Sequence, residues 1–266
     1  MSRFVLKLLR QFFLLCLVFF LAAPLIIVAG VSFNTTAQMT FPPQNISLRW
    51  YFAFMEDPAW TSAFLRSVII AVASSLLTIS VAFPIAYIQW KTNSRFAKLL
   101  AGMAGIPFIL PPVVIAVLFL LFWGAVRHVG QIENIVISHA VTFIAVPLVM
   151  ISLGFSAIDK SLVEAARTMG ARENDILRTV AVPMVLPFVV SSFIFVAIFS
   201  LNEYVIAFMV AGFTAETMPV KIFSNMRTGF SPTMCVGAVL FMLIGLFGFI
   251  TVARLGNLPR LLGARF

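Results

Sequence analysis

Residues 156–183 read SAIDKSLVEAARTMGARENDILRTVAVP. This polar stretch separates two long apolar runs, Ile135 to Phe155 before it and Met184 to Val210 after it. Apolar runs of about 18 or more residues with few charges are long enough to cross a bilayer as helices. Inside the stretch, local chemistry predicts a helix, a turn and a second helix. Ser161 with Glu164 fits the S-x-x-E capping box. Leu162, Ala165, Ala166 and Met169 fall at i, i+3, i+4 and i+7, one apolar stripe. Gly170 stands where a left-handed residue would end that helix. A second polar segment starts near Arg172 and is expected to stop at Pro183, where the next run begins. The mixed charges of Glu164, Arg167, Arg172, Glu173 and Asp175 argue against a purely basic lipid-facing helix. From the residues alone two readings stay open. The helix docks a partner protein, or it lies on lipid or packs on its own chain.

The same alternation of apolar runs and short charged segments fills the whole chain. Hydrophobic residues make up 62% of the 266 positions and charged residues 10%, with a mean hydropathy of +1.09. Soluble domains are about 45–50% apolar and about 25% charged, so a soluble core is excluded. Six spans are expected, roughly Phe12 to Phe33, Val68 to Trp90, Leu99 to Ala125, Ile135 to Phe155, Met184 to Val210, and Met234 to Leu255. The net charge of +9 does not point to nucleic acid, because the charges lie between apolar runs and not on one basic face. They set orientation instead. Thirteen of the eighteen basic residues fall in one alternate set of segments: Arg3, Lys7, Arg10, Lys91, Arg95, Lys98, Lys160, Arg167, Arg172, Arg178, Arg254, Arg260 and Arg265. The other set holds Arg49, Arg66, Arg127, Lys221 and Arg227. The positive-inside rule then places both termini in the cytoplasm. The first span exceeds a signal-peptide core and reads as an uncleaved anchor, with cleavage near Ala29 as the alternative.

Few side chains in the spans carry chemistry. Cys16 and Cys235 are isolated in apolar runs and read as small buried hydrophobes. His128 and His139 are far apart and read as ordinary polar partners, so no metal site is expected. No P-loop, zinc-protease or nucleophile-elbow motif occurs, so neither catalysis nor a cofactor is expected. Pro84, Pro107, Pro111, Pro112 and Pro147 punctuate the spans, either as hinges or as static kinks. Glu203 is the acidic residue inside a span. A charge at mid-bilayer costs a few kcal/mol, so it should face the bundle interior or a wet cavity. One reading has Glu203, with Asn202 and Tyr204 beside it, lining a translocation path that favours cations. The other makes it a partner for a neighbouring helix or a protonated, hydrogen-bonded carboxyl.

The 156–183 stretch resembles the EAA loop of ATP-binding-cassette (ABC) importer permeases. That pattern is E-A-A, three residues, G, nine residues, then I-x-L-P. Here it is Glu164-Ala165-Ala166, Gly170, and Val180-Ala181-Val182-Pro183. The likeness extends to Ser200 through Ile206 and to Met218 through Ser224, which are similar to spermidine/putrescine-type permeases, with Arg227, Gly229 and Pro232 beyond. Those permeases usually carry two acidic residues where this chain has Asn202 and Glu203, and phenylalanine at Tyr204. Related permeases for ferric iron, thiamine, sulfate and phosphonate share much of the framework, so the departure at Asn202 leaves the solute open.

The resemblance implies an all-α, six-transmembrane, type I (MetI-like) permease bundle over residues 1–266. It implies a multi-pass protein of a bacterial inner membrane, with the loop of about 156–183 as its cytoplasmic coupling element. Glu164, Ala165, Ala166 and Gly170 would then dock an ATPase. The implied partners are two ATP-binding subunits, a second and distinct permease, a periplasmic solute-binding protein, and the lipid bilayer itself. Polyamines are the leading solute class. A secondary transporter driven by ion gradients is the rival, but its inverted repeats and discontinuous helices are not evident in the sequence.

Overall fold

The computed structural model describes residues 3–92 and 94–255. Arg260 and Arg265, used above for orientation, lie outside the described residues. The described chain is helical, in the order α1 (Arg3–Ser32), α2 (Arg49–Glu56), α3 (Pro58–Thr92), α4 (Arg95–Ala104), α5 (Ile106–Ile109), α6 (Pro112–Ala125), α7 (Ile132–Phe143), α8 (Ala145–Ser156), α9 (Lys160–Thr168), α10 (Glu173–Ile176), α11 (Val182–Asn202), α12 (Val205–Ala211), α13 (Met218–Thr228) and α14 (Pro232–Leu255).

Four helical stretches are continuous, apolar and long enough to span: Leu6–Ser32, Pro58–Thr92, Glu173–Asn202 and Pro232–Arg254. The third and fourth expected spans are not single helices. Arg95–Ile109 and Pro112–Ala125 meet at 109°, and Ile132–Phe143 and Ala145–Ser156 meet at 49°. Six spans result if each bent pair counts as one. Pro111 and Pro112 explain the sharper bend. Neither can donate to a helical carbonyl, and the residue before proline is pushed to extended backbone, which Leu110 adopts at ψ 146°. Pro147 follows the milder bend at Ile144. Pro84, in contrast, sits inside an unbroken α3.

The chain divides into two compact units, residues 1–62 with 221–243, and 63–220 with 244–266. In the first, the chain leaving α1 folds back on the start of α2. Ser32 Oγ lies 2.9 Å from the Tyr51 hydroxyl, Ser47 N–H donates to Phe33 O at 2.8 Å, and Arg49 donates to Thr35 O at 2.7 Å. Cys16 is exposed on α1, not buried as expected.

The second unit holds two apolar clusters separated by a polar layer. Ile70, Ile115, Ile135, Ile206 and Val210 belong to one cluster, and Ala82, Leu148, Ile151, Phe155 and Val185 to the other. Between them along α3 come Ser74, Ser75 and Thr78. Between them along α7 come Ser138, His139 and Thr142, and along α11 Ser191, Ser192 and Ser200; all nine are buried. The helices pair through small residues, as membrane helices must when no hydrophobic force favours protein over lipid tails. Most of these hydroxyls are satisfied within their own helix. Ser75 donates to Ala71 O, Thr142 to Ser138 O, and Ser191 to Pro187 O, each at 2.7 Å. Trp123 Nε1 adds an interhelix bond to Ser138 Oγ at 3.1 Å.

α8 and α11 make the most extensive helix pair, and Gly154 permits it. A Cβ there would lie 2.8 Å from Phe188 Cδ2 and 3.2 Å from Phe188 Cβ. We expect Gly154→Ala to destabilise the purified protein by about 1–3 kcal/mol, the usual range for overpacking. Thermal unfolding in detergent reads it out, and an unchanged midpoint would contradict this packing.

Candidate functional site

The 156–183 loop folds as helix, turn, helix, with differences from expectation that have physical causes. The cap of α9 is Asp159 and not Ser161. Its Oδ1 accepts the Ser161 N–H at 2.9 Å, and this bond holds the Asp159 carboxyl below its ordinary value. An aspartate two residues before the accepted donor fits the Asx geometry, so helix begins one residue before Ser161. Gly170 is left-handed at φ 85° as its position predicted, and its N–H returns to Arg167 O at 3.0 Å. The apolar stripe divides. Ala166 turns inward at 8% exposure, while Leu162 and Met169 stay 49% and 82% exposed. Ala165, Glu164 and Gly170 are exposed as well. An apolar and small-residue surface is therefore presented outward.

Glu173 fixes this loop to the membrane helices. Its carboxylate accepts from Lys91 Nζ at the end of α3 at 3.2 Å and from Arg167 Nη2 on α9 at 3.0 Å. Tyr87, Trp90 and Lys91 face Glu164, Arg167 and Glu173 across a cleft of about 180 Å³. The second helix does not stop at Pro183. α10 passes through a π-helical turn, Leu177–Ala181, straight into α11. The wider turn accommodates the missing N–H and the bulky ring of Pro183.

The fifth apolar run, expected to be continuous to Val210, is broken at Glu203 and Tyr204. Glu203 is extended, at φ −77° and ψ 123°. Side chains bond the backbone on both sides of the break. On the α11 side, Asn202 Nδ2 donates to Ile198 O at 2.8 Å. On the α12 side, the Glu203 carboxylate accepts the N–H groups of Ile206 at 2.9 Å and Ala207 at 3.0 Å. These are donors that a new helix start would otherwise leave orphaned. Span four supplies a further partner. His139 Nε2 lies 3.2 Å from Glu203 Oε2, and its Nδ1 lies 2.8 Å from Ser200 Oγ. With Glu203 ionised, Nε2 is the donor to it, and a neutral ring then leaves Nδ1 to accept from the Ser200 hydroxyl. The His139 and Glu203 side chains are 1% and 11% exposed.

Asn202, Glu203 and Tyr204 thus meet at one helix break, with Asn202 exposed. His139 is a polar partner, as expected, but its partners Glu203 and Ser200, the cap of Asp159 and the ion pairs of Glu173 were not singled out by sequence reasoning. The available signal for His139 was a second ionisable group within an apolar run, able to face Glu203.

Apolar helices packed through a buried polar layer, one of them broken at a bonded carboxylate, with an outward amphipathic loop, are the frame of a multi-span membrane protein. The chain matches the family described as "Binding-protein-dependent transport system inner membrane component" over residues 79–258 and belongs to it. It is the permease subunit of an ABC importer. Among its relatives, the putrescine transport system permease protein PotI of Escherichia coli (strain K12) is 29% identical over 244 residues, which cover 87% of this chain and 85% of PotI. The spermidine/putrescine transport system permease protein PotC of Haemophilus influenzae is 28% identical over 92% of this chain and 94% of PotC. The molybdenum transport system permease protein ModB of Haemophilus influenzae is 30% identical over 70% of this chain and 90% of ModB. The fold is also that of a bacterial ABC transporter involved in the import of the acidic polysaccharide alginate, with a TM-score of 0.71 at 18% identity over 96% of each chain.

Two outcomes follow. Asp159 stabilises α9 as a carboxylate, and its folded pKa is depressed. The cap is therefore complete above the ordinary carboxylate value and is lost as pH falls through the depressed one. Hydrogen-exchange protection of the Ser161 amide should follow that course and be absent in Asp159→Ala at every pH. At the break, a double-mutant cycle of His139→Ala and Glu203→Gln, read by unfolding in detergent, should give a coupling of about 0.5–3 kcal/mol. A coupling of zero would mean that the pair does not interact.

Proposed function

We propose that this chain forms half of the translocation path of an ATP-driven uptake system for polyamines such as putrescine and spermidine. The observation that carries the reading is the carboxylate of Glu203, held inside the bundle at a helix break whose flanking residues are Asn202 and Tyr204. A negative group in a low-dielectric interior favours a cationic solute and disfavours anions such as sulfate or phosphonate. The names of the PotI and PotC relatives support the same class.

In this reading Asn202, Glu203 and Tyr204 border the path. Glu164, Ala165, Ala166 and Gly170 belong to a coupling helix that docks one of two separate ATPase subunits, where ATP is hydrolysed. The outward face of Leu162, Ala165 and Met169 is what such a docking partner would cover. A second permease, expected to be a distinct homologue, completes the path, and a periplasmic binding protein delivers the solute. Both termini and the 156–183 loop lie in the cytoplasm, following the distribution of basic residues. ATP binding draws the coupling helices together and opens the path outward, and hydrolysis resets it. Nucleotide drives this only because it binds the two states with different affinity.

The test is uptake by proteoliposomes holding both permeases, the ATPase subunits and the binding protein. Putrescine and spermidine should enter with ATP and not with a proton gradient alone. Ala165→Arg, which places a large charge on the docking face, should lower uptake by about tenfold or more without moving the unfolding midpoint. Uptake driven by the gradient in the absence of ATP would overturn the reading.

A further inference from the structure

His139 and Glu203 are enclosed together at the break. His139 stands on α7, Glu203 in the link between α11 and α12, and their side chains are 1% and 11% exposed. α7 packs most on α5, α8, α11 and α12, and none of these helices carries an ionisable side chain. From α6, which has none either, Trp123 reaches Ser138. From α3, Thr78 reaches Ala140 O. The ionisable residues of α3 are Arg66, Tyr87 and Lys91, each more than two turns from Thr78. On α7 itself Glu133 is held by His128, and beyond the break Tyr204 stacks on Phe208. Among the described residues, Glu203 is therefore the charged group that faces His139.

The pair can hold an extra proton or release it with every heavy atom in place. With the ring neutral, Nε2–H donates to Glu203 and Nδ1 accepts the Ser200 hydroxyl. With the ring protonated, both nitrogens donate and the Ser200 oxygen accepts, since a hydroxyl serves in either role. The carboxylate is uncompensated in the first state and neutralised in the second. Glu203 also keeps room for a further donor. A carboxylate offers about four lone-pair sites. Ile206 N–H takes Oε1, while Ala207 N–H and His139 share Oε2. Among the described residues a site on Oε1 stays open, and the next residue back along the chain is the exposed Asn202.

We propose that His139 sets the specificity of the break for cations, by carrying a proton that takes the place of the solute's charge when the path is empty. The proposal rests on the reading of Glu203 as a border of a path for aliphatic ammonium solutes. In the empty path a proton from water binds Nδ1 and the imidazolium compensates the carboxylate. An ammonium group arriving at the open site on Glu203 replaces that charge. The proton then leaves Nδ1 for water, and the only covalent bond broken is that N–H. The break is thus never left with a bare buried charge, which is costly inside a bilayer. An anion has no such exchange open to it, because it meets either the carboxylate or an already neutral pair. Histidine suits the task as the side chain whose ordinary titration falls near neutral pH.

The test uses the complete reconstituted transporter with saturating binding protein and the same buffer on both faces. Putrescine moved per ATP hydrolysed is followed from about pH 8 to about pH 5, the range in which histidine gains its charge. In the unaltered transporter it should fall about tenfold, since a unit charge about 4 Å away in a protein interior is worth at least that much. His139→Gln keeps a donor for Glu203 and an acceptor for Ser200 but never ionises. Its transport per ATP at the acid end should stay within about twofold of its own value at the alkaline end. His139→Lys, charged throughout the range, should move about tenfold less than His139→Gln at the alkaline end and show no further acid loss. A flat profile in the unaltered transporter would overturn the proposal, and that result needs no variant to fold. The same acid loss in His139→Gln would overturn it too, and both results leave the solute class standing. An unaltered transporter that carries neither putrescine nor spermidine at any pH would sink the solute class, and the proposal with it.

Discussion

A backbone group freed inside a bilayer finds no water, so any interruption of a membrane helix must supply its own acceptors and donors. The fifth apolar run shows how this chain meets that condition. Its break would leave N–H groups at the start of α12 and carbonyls at the end of α11 unpaired. Glu203 accepts two of the former, and the Asn202 side chain folds back on its own helix at Ile198 O. His139 from the neighbouring span then bonds the same carboxylate and Ser200 together. One side chain thus closes a helix start, ties two spans and places a negative group inside the bundle. The cost of burying that charge is offset by three hydrogen bonds to it, which are stronger for being charge-assisted.

The same condition governs the other irregular points. Pro183 would break a helix entering the membrane, and a π-helical turn absorbs it. As a result, helix continues from Glu173 to Asn202 without interruption. One end of that rod carries the Glu173 pairs with Lys91 and Arg167, and the other carries the break. In the proposed function, that continuous element is what would carry motion of the docked loop to the residues of the break. Five hydroxyls of the intervening layer, those of Ser75, Thr78, Thr142, Ser191 and Ser192, bond back to their own helices, which leaves small surfaces over much of the packing.

The sequence made the apolar runs, the loop and the Gly170 turn legible, because each depends on local composition or backbone conformation. Glu203 stood out for the same reason, as a charge in an apolar run. What it bonds to was not legible, since His139 is 64 positions earlier in the chain and only packing brings the two together. The bends at Leu110 and Ile144 were hidden for another reason. Proline marks a place where a helix can break, but Pro84 lies in an unbroken helix while Pro111 and Pro112 accompany a 109° turn. Two successive prolines push both Leu110 and Pro111 to extended backbone, whereas a single proline is carried within a helix. At α9, the S-x-x-E pattern drew attention to Ser161, yet Asp159 is the better acceptor and took the cap. The division of the apolar stripe, with Ala166 inward and Leu162 and Met169 outward, was likewise not legible, because it depends on how α9 packs on the rest of the chain.

The central claim is that the break at Asn202 and Glu203 borders a solute path opened by nucleotide acting through the 156–183 loop. Thiol labelling of Asn202→Cys measures this directly in the reconstituted transporter, with Cys16 and Cys235 replaced by serine and alanine. A membrane-impermeant maleimide added from the binding-protein side should react when ATP is trapped on the ATPase subunits. The reaction should be slow without nucleotide and slowed again by polyamine. Labelling at the same rate in every nucleotide state, indifferent to solute, would contradict the account.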